Sequence, residues 1–357
     1  MPSTIGAVIP CRNEAHWIGE VLDALAAQDR RPDVVVVVDD ASSDGTRAEV
    51  EQWSAAHPDV TLRVIAGPAR GVAAAVNAGI ATLTADVIVR LDGHCRPASD
   101  YIRRTAALAT EPGVGVAGGA WTIEPSAATL EARAIAIAVE HRFGSGGAAY
   151  RRARSPGPSG PGEVRAVDTV PFGCFRRALW EELGGLDEQL WSNEDYDFNF
   201  RVRERGLHVM LDRTIRCIYY ARPTLRLLAR QYGRYGWWKA RMLIRHPSSI
   251  RWRQVVPAML VPALLVCAVG VMVRPEALWP AVLAAYPGLV LAGAVHAAVT
   301  RRAPSAVLWI AAAFLTVQMM WSGGFWASLL TPGPKGPGLR GDESIRRDKS
   351  IRRDKST

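Results

Sequence analysis

"DVVVVVDDASSDGT", residues 33–46, runs five valines into two adjacent aspartates and then into a Ser-, Asp- and Gly-rich turn. An unbroken valine run suits a strand whose two faces are both covered by helices, as in a parallel sheet. Neighbouring carboxylates repel each other and are costly to desolvate. They therefore belong at the strand's wet carboxyl end, where a doubly wound fold places its ligand crevice. The stretch predicts a buried parallel strand that ends at a binding site.

Outward from it, the chain up to about residue 120 alternates short apolar runs with amphipathic ones, the pattern of strand and helix units. "IGAVIP" (5–10) reads as the first strand. From Glu14 onward, Trp17, Ile18, Val21, Leu22 and Leu25 fall at helical spacing, with Asn13 placed to cap the helix. A helix after Thr46, a strand at "LRVIA" (62–66), a helix over 71–82 and a strand "DVIVRL" (86–91) follow. No G-x-G-x-x-G motif follows the first strand, which argues against a dinucleotide oxidoreductase. "GSGGAAYRRARSPGPSGPG" (144–162) is expected to lack regular structure. It reads either as a plain linker or as a mobile loop over an active site. Beyond it the chain resumes with a strand, a helix, a turn and another helix.

Charge and hydropathy point to a membrane. Lys plus Arg number 43 against 34 Asp plus Glu, a net charge of +9, and the nine Lys or Arg between Arg222 and Gln254, with no acidic residue among them, equal that excess. Arg222, Arg226, Arg230 and Arg234 recur every fourth residue among leucines and aromatics, as in helices lying at a membrane surface, with Trp237, Trp238 and Trp252 at headgroup depth. Nucleic acid is the rival partner for a basic aromatic stretch. The position just before an apolar run favours lipid and argues against nucleic acid.

Three apolar stretches follow, 255–273, 277–299 and 306–330, each near or above the ~20 residues that span a bilayer. The positive-inside rule puts the Arg-rich block and "TRRAPS" (300–305) in the cytoplasm. Three full crossings would then leave the basic tail "SIRRDKSIRRDKST" outside, against the same rule. Either the third stretch re-enters or the tail tolerates the wrong side. Residues 331–357 are expected to be disordered. The N-terminus shows no signal-peptide pattern, and five scattered cysteines without a CxxC pair suggest a reducing compartment.

Carboxylates recur at three stations: Asp39 and Asp40, then Asp92 with His94 two positions on, then Glu194 and Asp195. The remaining six histidines have no ligand-like spacing. Taken with "VIPCRNEA" (8–15), "VVDDASSDGT" (37–46), "GVAAAVNAGI" (71–80), "RLDGH" (90–94), "GGLDE" (184–188), "NEDYDFNFRVRERG" (193–206) and "RQYGRYGWW" (230–238), the chain resembles a family 2 inverting glycosyltransferase. Among its members the chain most resembles the membrane-bound enzymes of succinoglycan-type exopolysaccharide assembly.

The resemblance implies an α/β GT-A fold, a Rossmann-like mixed sheet, over 1–221. A basic interfacial segment (222–254) and a transmembrane region (255–330) would follow. It implies a nucleoside-diphosphate sugar as donor. Asp39 or Asp40 would hold the base, and Pro10, Asn13 and Glu14 would line the nucleotide pocket. Asp92 and His94 would hold a divalent cation, Mn²⁺ or Mg²⁺, with His94 standing where the family usually has a second Asp. Asp195 would be the catalytic base and Glu194 its orienting neighbour. "QYGRY" (231–235) resembles the family's Q-x-x-R-W motif with Tyr235 in place of Trp, so Gln231 and Arg234 would contact the leaving group. The acceptor would be a lipid-linked saccharide, and the enzyme a multi-pass inner-membrane protein with its catalytic domain in the cytoplasm. A polyprenyl-phosphate glycosyl synthase and a non-catalytic membrane scaffold are the alternatives.

Overall fold

In a computed structural model, which describes residues 3–151, 164–249, 251–276 and 278–331, the valine run is an interior strand. The strands are β1 (Ile5–Cys11), β2 (Val34–Asp39), β3 (Leu62–Ala66), β4 (Val87–Arg90), β5 (Cys95–Pro97), β6 (Val114–Pro125), β7 (Val164–Ala166), β8 (Cys174–Arg176) and β9 (His208–Ala221). They form one mixed sheet in the order β3-β2-β1-β4-β8-β6-β9-β5, with β7 added on β9. The first four strands are parallel, and β8 joins them antiparallel to β4.

The helices are α1 (Ile18–Ala26), α2 (Thr46–Ala56), α3 (Val72–Ala81), α4 (Tyr101–Thr110), α5 (Leu130–Glu140), α6 (Arg142–Ser145), α7 (Arg177–Glu182), α8 (Glu194–Glu204), α9 (Leu225–Arg245), α10 (Trp252–Val273), α11 (Trp279–Thr300) and α12 (Val307–Leu330). Val35 and Val37 pack with Ile18, Val21, Leu22 and Leu25 on one face of the sheet. Val36 and Val38 pack with Ala73, Val76 and Ile80 on the other. Burying each valine is worth about 1.5–3 kcal/mol, which fixes β2 in the interior. Gly79 lets α3 press against the sheet, because a Cβ there would meet Val8 Cγ2 at 2.5 Å and Val38 Cγ2 at 2.8 Å.

Two local expectations fail. Asn13 does not cap α1, which starts five residues later; its Oδ1 accepts instead from Ser43 N–H at 2.8 Å, joining the loop after β1 to the loop after β2. Trp238 presents no face to headgroups, being 2% exposed inside the protein. The basic block forms one long helix, α9, whose Arg226, Arg230 and Arg234 are exposed while Leu228, Tyr232 and Trp238 are buried. Within the Gly/Pro segment, residues 144–151 hold the end of α6 and one 3₁₀ turn; the remainder lies outside the described residues, as does the basic tail.

The three C-terminal helices are long and apolar enough to cross a membrane, with mean hydropathies of 2.5, 1.8 and 1.5. Pro262 in α10 has no N–H to offer the carbonyl of Ala258. That carbonyl is satisfied from α12, by Ser322 Oγ at 3.0 Å and Trp326 Nε1 at 2.8 Å. Such cross-helix repair keeps a proline tolerable where water is absent.

Candidate active site

The strand order reverses direction between β1 and β4, so the crevice of a doubly wound sheet opens above their carboxyl ends. The three acidic stations gather around it. Asp39 ends β2, Glu14 follows β1, and Asp92 follows β4. Their convergence registers on Cys11 at the end of β1. Burial pushes its thiol well above the usual range, and the surrounding charges of Glu14, Asp92, Asp39 and Asp44 push it further.

Asp39 and Asp40, alike in sequence, have different surroundings. Asp40 is buried, and its two carboxylate oxygens accept from the backbone N–H of Ala69 at 2.7 Å and of Gly71 at 3.1 Å. It latches the loop that leads into α3. Asp39 is half-buried and accepts from Ser42 N–H at 3.1 Å, leaving lone pairs open to the crevice. Nearby, Asp44 holds Ala15 N–H and Thr46, while Glu14 N–H donates to Thr46 Oγ1 at 2.8 Å. Pro10 is buried in β1 opposite Val38.

The second and third stations meet on a residue to which the sequence reading gave no role. Arg90, 8% exposed at the end of β4, donates through Nη2 to Glu194 Oε1 at 3.0 Å and to Asp92 Oδ1 at 3.3 Å. Burial opposes its charge, but Asp92, Glu194 and Asp195 outweigh burial and hold the guanidinium more firmly protonated than usual. Its position inside the apolar run "DVIVRL" was the available signal, since a charge there must be paired. Asn193 has a left-handed φ of 66° and makes no side-chain cap of α8. Its amide donates to the Tyr235 carbonyl at 3.3 Å, joining the acidic turn to α9.

Glu194 is thus committed to Arg90. Asp195 beside it is pushed up to about 7, chiefly by burial and then by the Glu194 charge, with Arg90 pulling the other way. A carboxylate with proton affinity near neutrality is suited to general base work. His94 lies across the site with Nδ1 paired to Glu14 Oε1 at 2.9 Å. Burial works against its protonation, yet the Glu14 carboxylate, aided by Asp92, holds it above the ordinary imidazole value. Gly93 makes the turn possible, since a Cβ there would meet Cys11 Sγ at 2.9 Å and Glu14 Cγ at 3.0 Å.

Asp92, His94, Glu194 and Asp195 line one cavity of ≈ 910 Å³. Its further walls come from α9, through Arg234 and Lys239, and from α10, α11 and α12, through Leu260, Leu289 and Trp321. Asp39, Asp40, Pro10, Asn13 and Glu14 belong to the crevice at the strand ends and do not line this cavity. Gln231 lines it but is held, its Nε2 donating to Tyr219 OH at 3.0 Å and Tyr235 OH at 2.9 Å. Beside it, Arg151 donates to Tyr232 OH at 2.6 Å and lies 5.6 Å from the ring centres of Trp121 and Tyr150. This aromatic seat went unnoticed in the sequence because its members come from three separate segments.

Among the described residues no group of three His, Cys, Asp or Glu side chains is placed to hold a metal ion. The donors present still fit one whose other ligands come from a diphosphate: one carboxylate, Asp92, and the Nε2 of His94, whose Nδ1 is occupied by Glu14. A carboxylate behind a histidine is the usual way to aim the free ring nitrogen at a metal.

This constellation on this sheet is that of a sugar-transferring enzyme: residues 7–176 match the family described as Glycosyl transferase family 2. Over those residues the chain resembles the family 2 glycosyltransferases; its fold is GT-A, and it is a glycosyltransferase. In particular it is similar to the succinoglycan biosynthesis protein ExoA of Rhizobium meliloti, at 29% identity over 90% of this chain and 94% of that one. It is also similar to the glycosyltransferase AglE of Haloferax volcanii, at 26% identity over 64% of this chain and 70% of that one. Among solved structures, the mannosyltransferase PcManGT from Pyrobaculum calidifontis, in complex with GDP-Man and Mn²⁺, shares the fold with a TM-score of 0.61. That match has 21% identity and covers 89% of this chain and 87% of that one.

Proposed function

We infer that the protein transfers a sugar, with inversion, from a nucleoside-diphosphate donor to a lipid-linked saccharide in exopolysaccharide or cell-envelope glycan synthesis. The observation that carries this reading is the single cavity running from Asp92, His94 and Asp195 to apolar residues of α10, α11 and α12. A reaction centre continuous with helices apolar enough to enter a bilayer suits an acceptor whose sugar is polar and whose anchor is not. The catalytic domain would face the cytoplasm, where nucleotide sugars are made, with the apolar helices in the inner membrane.

Asp39 reads the base, since Asp40 has given both oxygens to the backbone. The loops bearing Pro10, Asn13 and Glu14 shape the nucleotide pocket. Asp92 and His94 would hold a divalent cation, Mn²⁺ or Mg²⁺, which as a Lewis acid would supply stabilisation of the negative charge on the departing diphosphate. Imidazole with carboxylate suits Mn²⁺ at least as well as Mg²⁺, and the mannosyltransferase of the same fold holds GDP-Man with Mn²⁺. Arg234 is placed on the cavity wall to meet the leaving diphosphate, and Gln231 fixes Tyr219 and Tyr235 beside it. Asp195 takes the proton of the attacking hydroxyl, while Arg90 holds Glu194 in the position that sustains Asp195's proton affinity.

A base poised near neutrality favours a hydroxyl acceptor over a polyprenyl phosphate, whose oxygen is already ionised. The test is diphosphate release from a panel of nucleotide sugars by membranes bearing the full chain, with Mn²⁺, Mg²⁺ or chelator and a lipid-linked acceptor. Release with at least one donor, lost in Asp195→Asn, is expected. Full activity of Asp195→Asn toward polyprenyl phosphate would assign the enzyme to the synthase class instead, and no release from any donor would leave the scaffold reading standing.

A further inference from the structure

The sequence left a conflict: three crossings would put the basic tail on the wrong side of the membrane. The placement of α12 removes it. Its start is tied to the catalytic domain by Arg301 at the end of α11, which pairs with the buried Glu140 of α5 at 2.5 Å. Along its first half Phe314 packs on His141 and Phe143, and Gln318 Nε2 donates to the Phe143 carbonyl at 2.9 Å.

Along its second half α12 runs beside α9, in the same direction and at backbone contact. A Cβ on Gly236 would collide with the Trp321 carbonyl, and one on Gly324 with the Gly233 carbonyl. The far end is held as well, because Arg241 Nη2 of α9 donates to the carbonyls of Ser328 at 2.9 Å and Thr331 at 2.8 Å. A cation at a helix C-terminus satisfies carbonyls that have no partner within the helix.

The position of α9 then fixes that of α12. From end to end α9 is fastened to the polar domain: Leu225 N–H donates to Glu131 at 2.7 Å, Gln231 to Tyr219, Arg245 pairs with Asp187, and His246 with Asp197 at 3.0 Å. A helix of 24 residues is about 36 Å long and could cross a bilayer core of about 30 Å only by leaving that domain. Instead both of its ends are pinned to it.

The outward face of α12, with Leu308, Trp309, Leu315, Met320, Leu329 and Leu330 exposed, carries no charged side chain. The neighbouring α10 and α11 have only 11% and 22% of their apolar windows buried within the protein. They run out to Arg274 and Glu276 and back to Arg301, forming a hairpin.

We propose that the chain crosses the bilayer twice, through α10 and α11, and that α12 is a membrane-plane helix lying on the lipid surface beneath the catalytic domain. Thr331, the last described residue, therefore lies on the same side as the catalytic domain, the side that the positive-inside rule assigns to the basic sequence after it. Trp321 and Val317, which wall the cavity, then sit at headgroup depth, so the acceptor enters sideways from that leaflet.

The test uses the active full chain carrying a C-terminal epitope, in spheroplasts and in inverted inner-membrane vesicles. The tag is expected to be cut by added protease only in inverted vesicles, and a Glu276→Cys label to react with impermeant maleimide only in spheroplasts. Cutting of the tag in spheroplasts would establish three crossings and overturn the proposal.

Nitroxides at Leu308→Cys, Leu315→Cys and Leu329→Cys provide a second, independent reading. One common shallow depth supports the in-plane helix; depths stepping from one interface to the other contradict it. Exclusion of both oxygen and nickel reagents from all three sites would assign this face to a second copy of the chain and equally overturn the lipid contact. None of these outcomes depends on which sugar is transferred.

Discussion

Two pairs of adjacent carboxylates, on opposite sides of the same crevice, resolve the same repulsion in different ways. In Asp39–Asp40 the second member is neutralised by two backbone N–H groups, and the first stays half-exposed and available to a ligand. In Glu194–Asp195 the first member is neutralised by the Arg90 guanidinium, and the second is left desolvated with its proton affinity raised to about 7. The lesson is that one carboxylate of each pair is structural, and that its partner's environment decides whether the other binds or reacts.

The comparison can be broken most sharply at Asp195. Asp195→Asn should lower turnover by about 10²–10⁴-fold with a melting midpoint that does not fall, since it removes a carboxylate whose charge is disfavoured in the fold; near-normal turnover would remove the base from this pair. Arg90→Met comes next, because it strands the buried Glu194 and the half-buried Asp92, and a loss of about 3–5 kcal/mol in unfolding free energy is expected. Denaturation of the solubilised protein measures it, and an unshifted midpoint would mean that Glu194 and Asp92 do not rely on Arg90.

On the other side of the crevice, Asp40→Ala orphans the N–H groups of Ala69 and Gly71 at about 1–3 kcal/mol each, so it should lower stability and donor affinity together. Asp39→Ala should raise the donor KM about tenfold or more through the loss of one charge-assisted hydrogen bond of about 1.5–3 kcal/mol, while the melting midpoint stays put. If Asp39→Ala proved the destabilising variant and Asp40→Ala the one with the raised KM, the roles within the pair would be reversed.

The parallel half of the sheet was legible in the sequence because its signal is local, whereas β6 and β9, its two longest strands, were not read there. The valine run, the "IGAVIP" and "LRVIA" strands and the three apolar helices each declare themselves by composition within a short window, and all fall where they were expected. The acidic stations were legible as residues but not as partners. Nothing adjacent to Asp40 announces that residues 69 and 71 will fold back onto it, and Arg90 meets Glu194 across more than a hundred residues.

Asn13 misled because a short polar side chain before an apolar helical run is a good cap on local grounds. The tertiary bond to Ser43 displaced that role. Trp238 misled for a related reason. A basic aromatic helix reads as interfacial until Trp238 is seen to be buried within the protein.

The pH profile of sugar transfer by the full chain in membranes tests the central claim, that the desolvated member of the second pair is the base. As the proposed base Asp195 would work only when deprotonated, and its folded-state value is raised to about 7, so activity is expected above that pH and should be lost below it. Tenfold loss per unit on the acid side of about 7 is expected, and the residual activity of Asp195→Asn should show no such limb. A wild-type profile flat through neutrality, or an acid limb that survives in Asp195→Asn, would contradict the account.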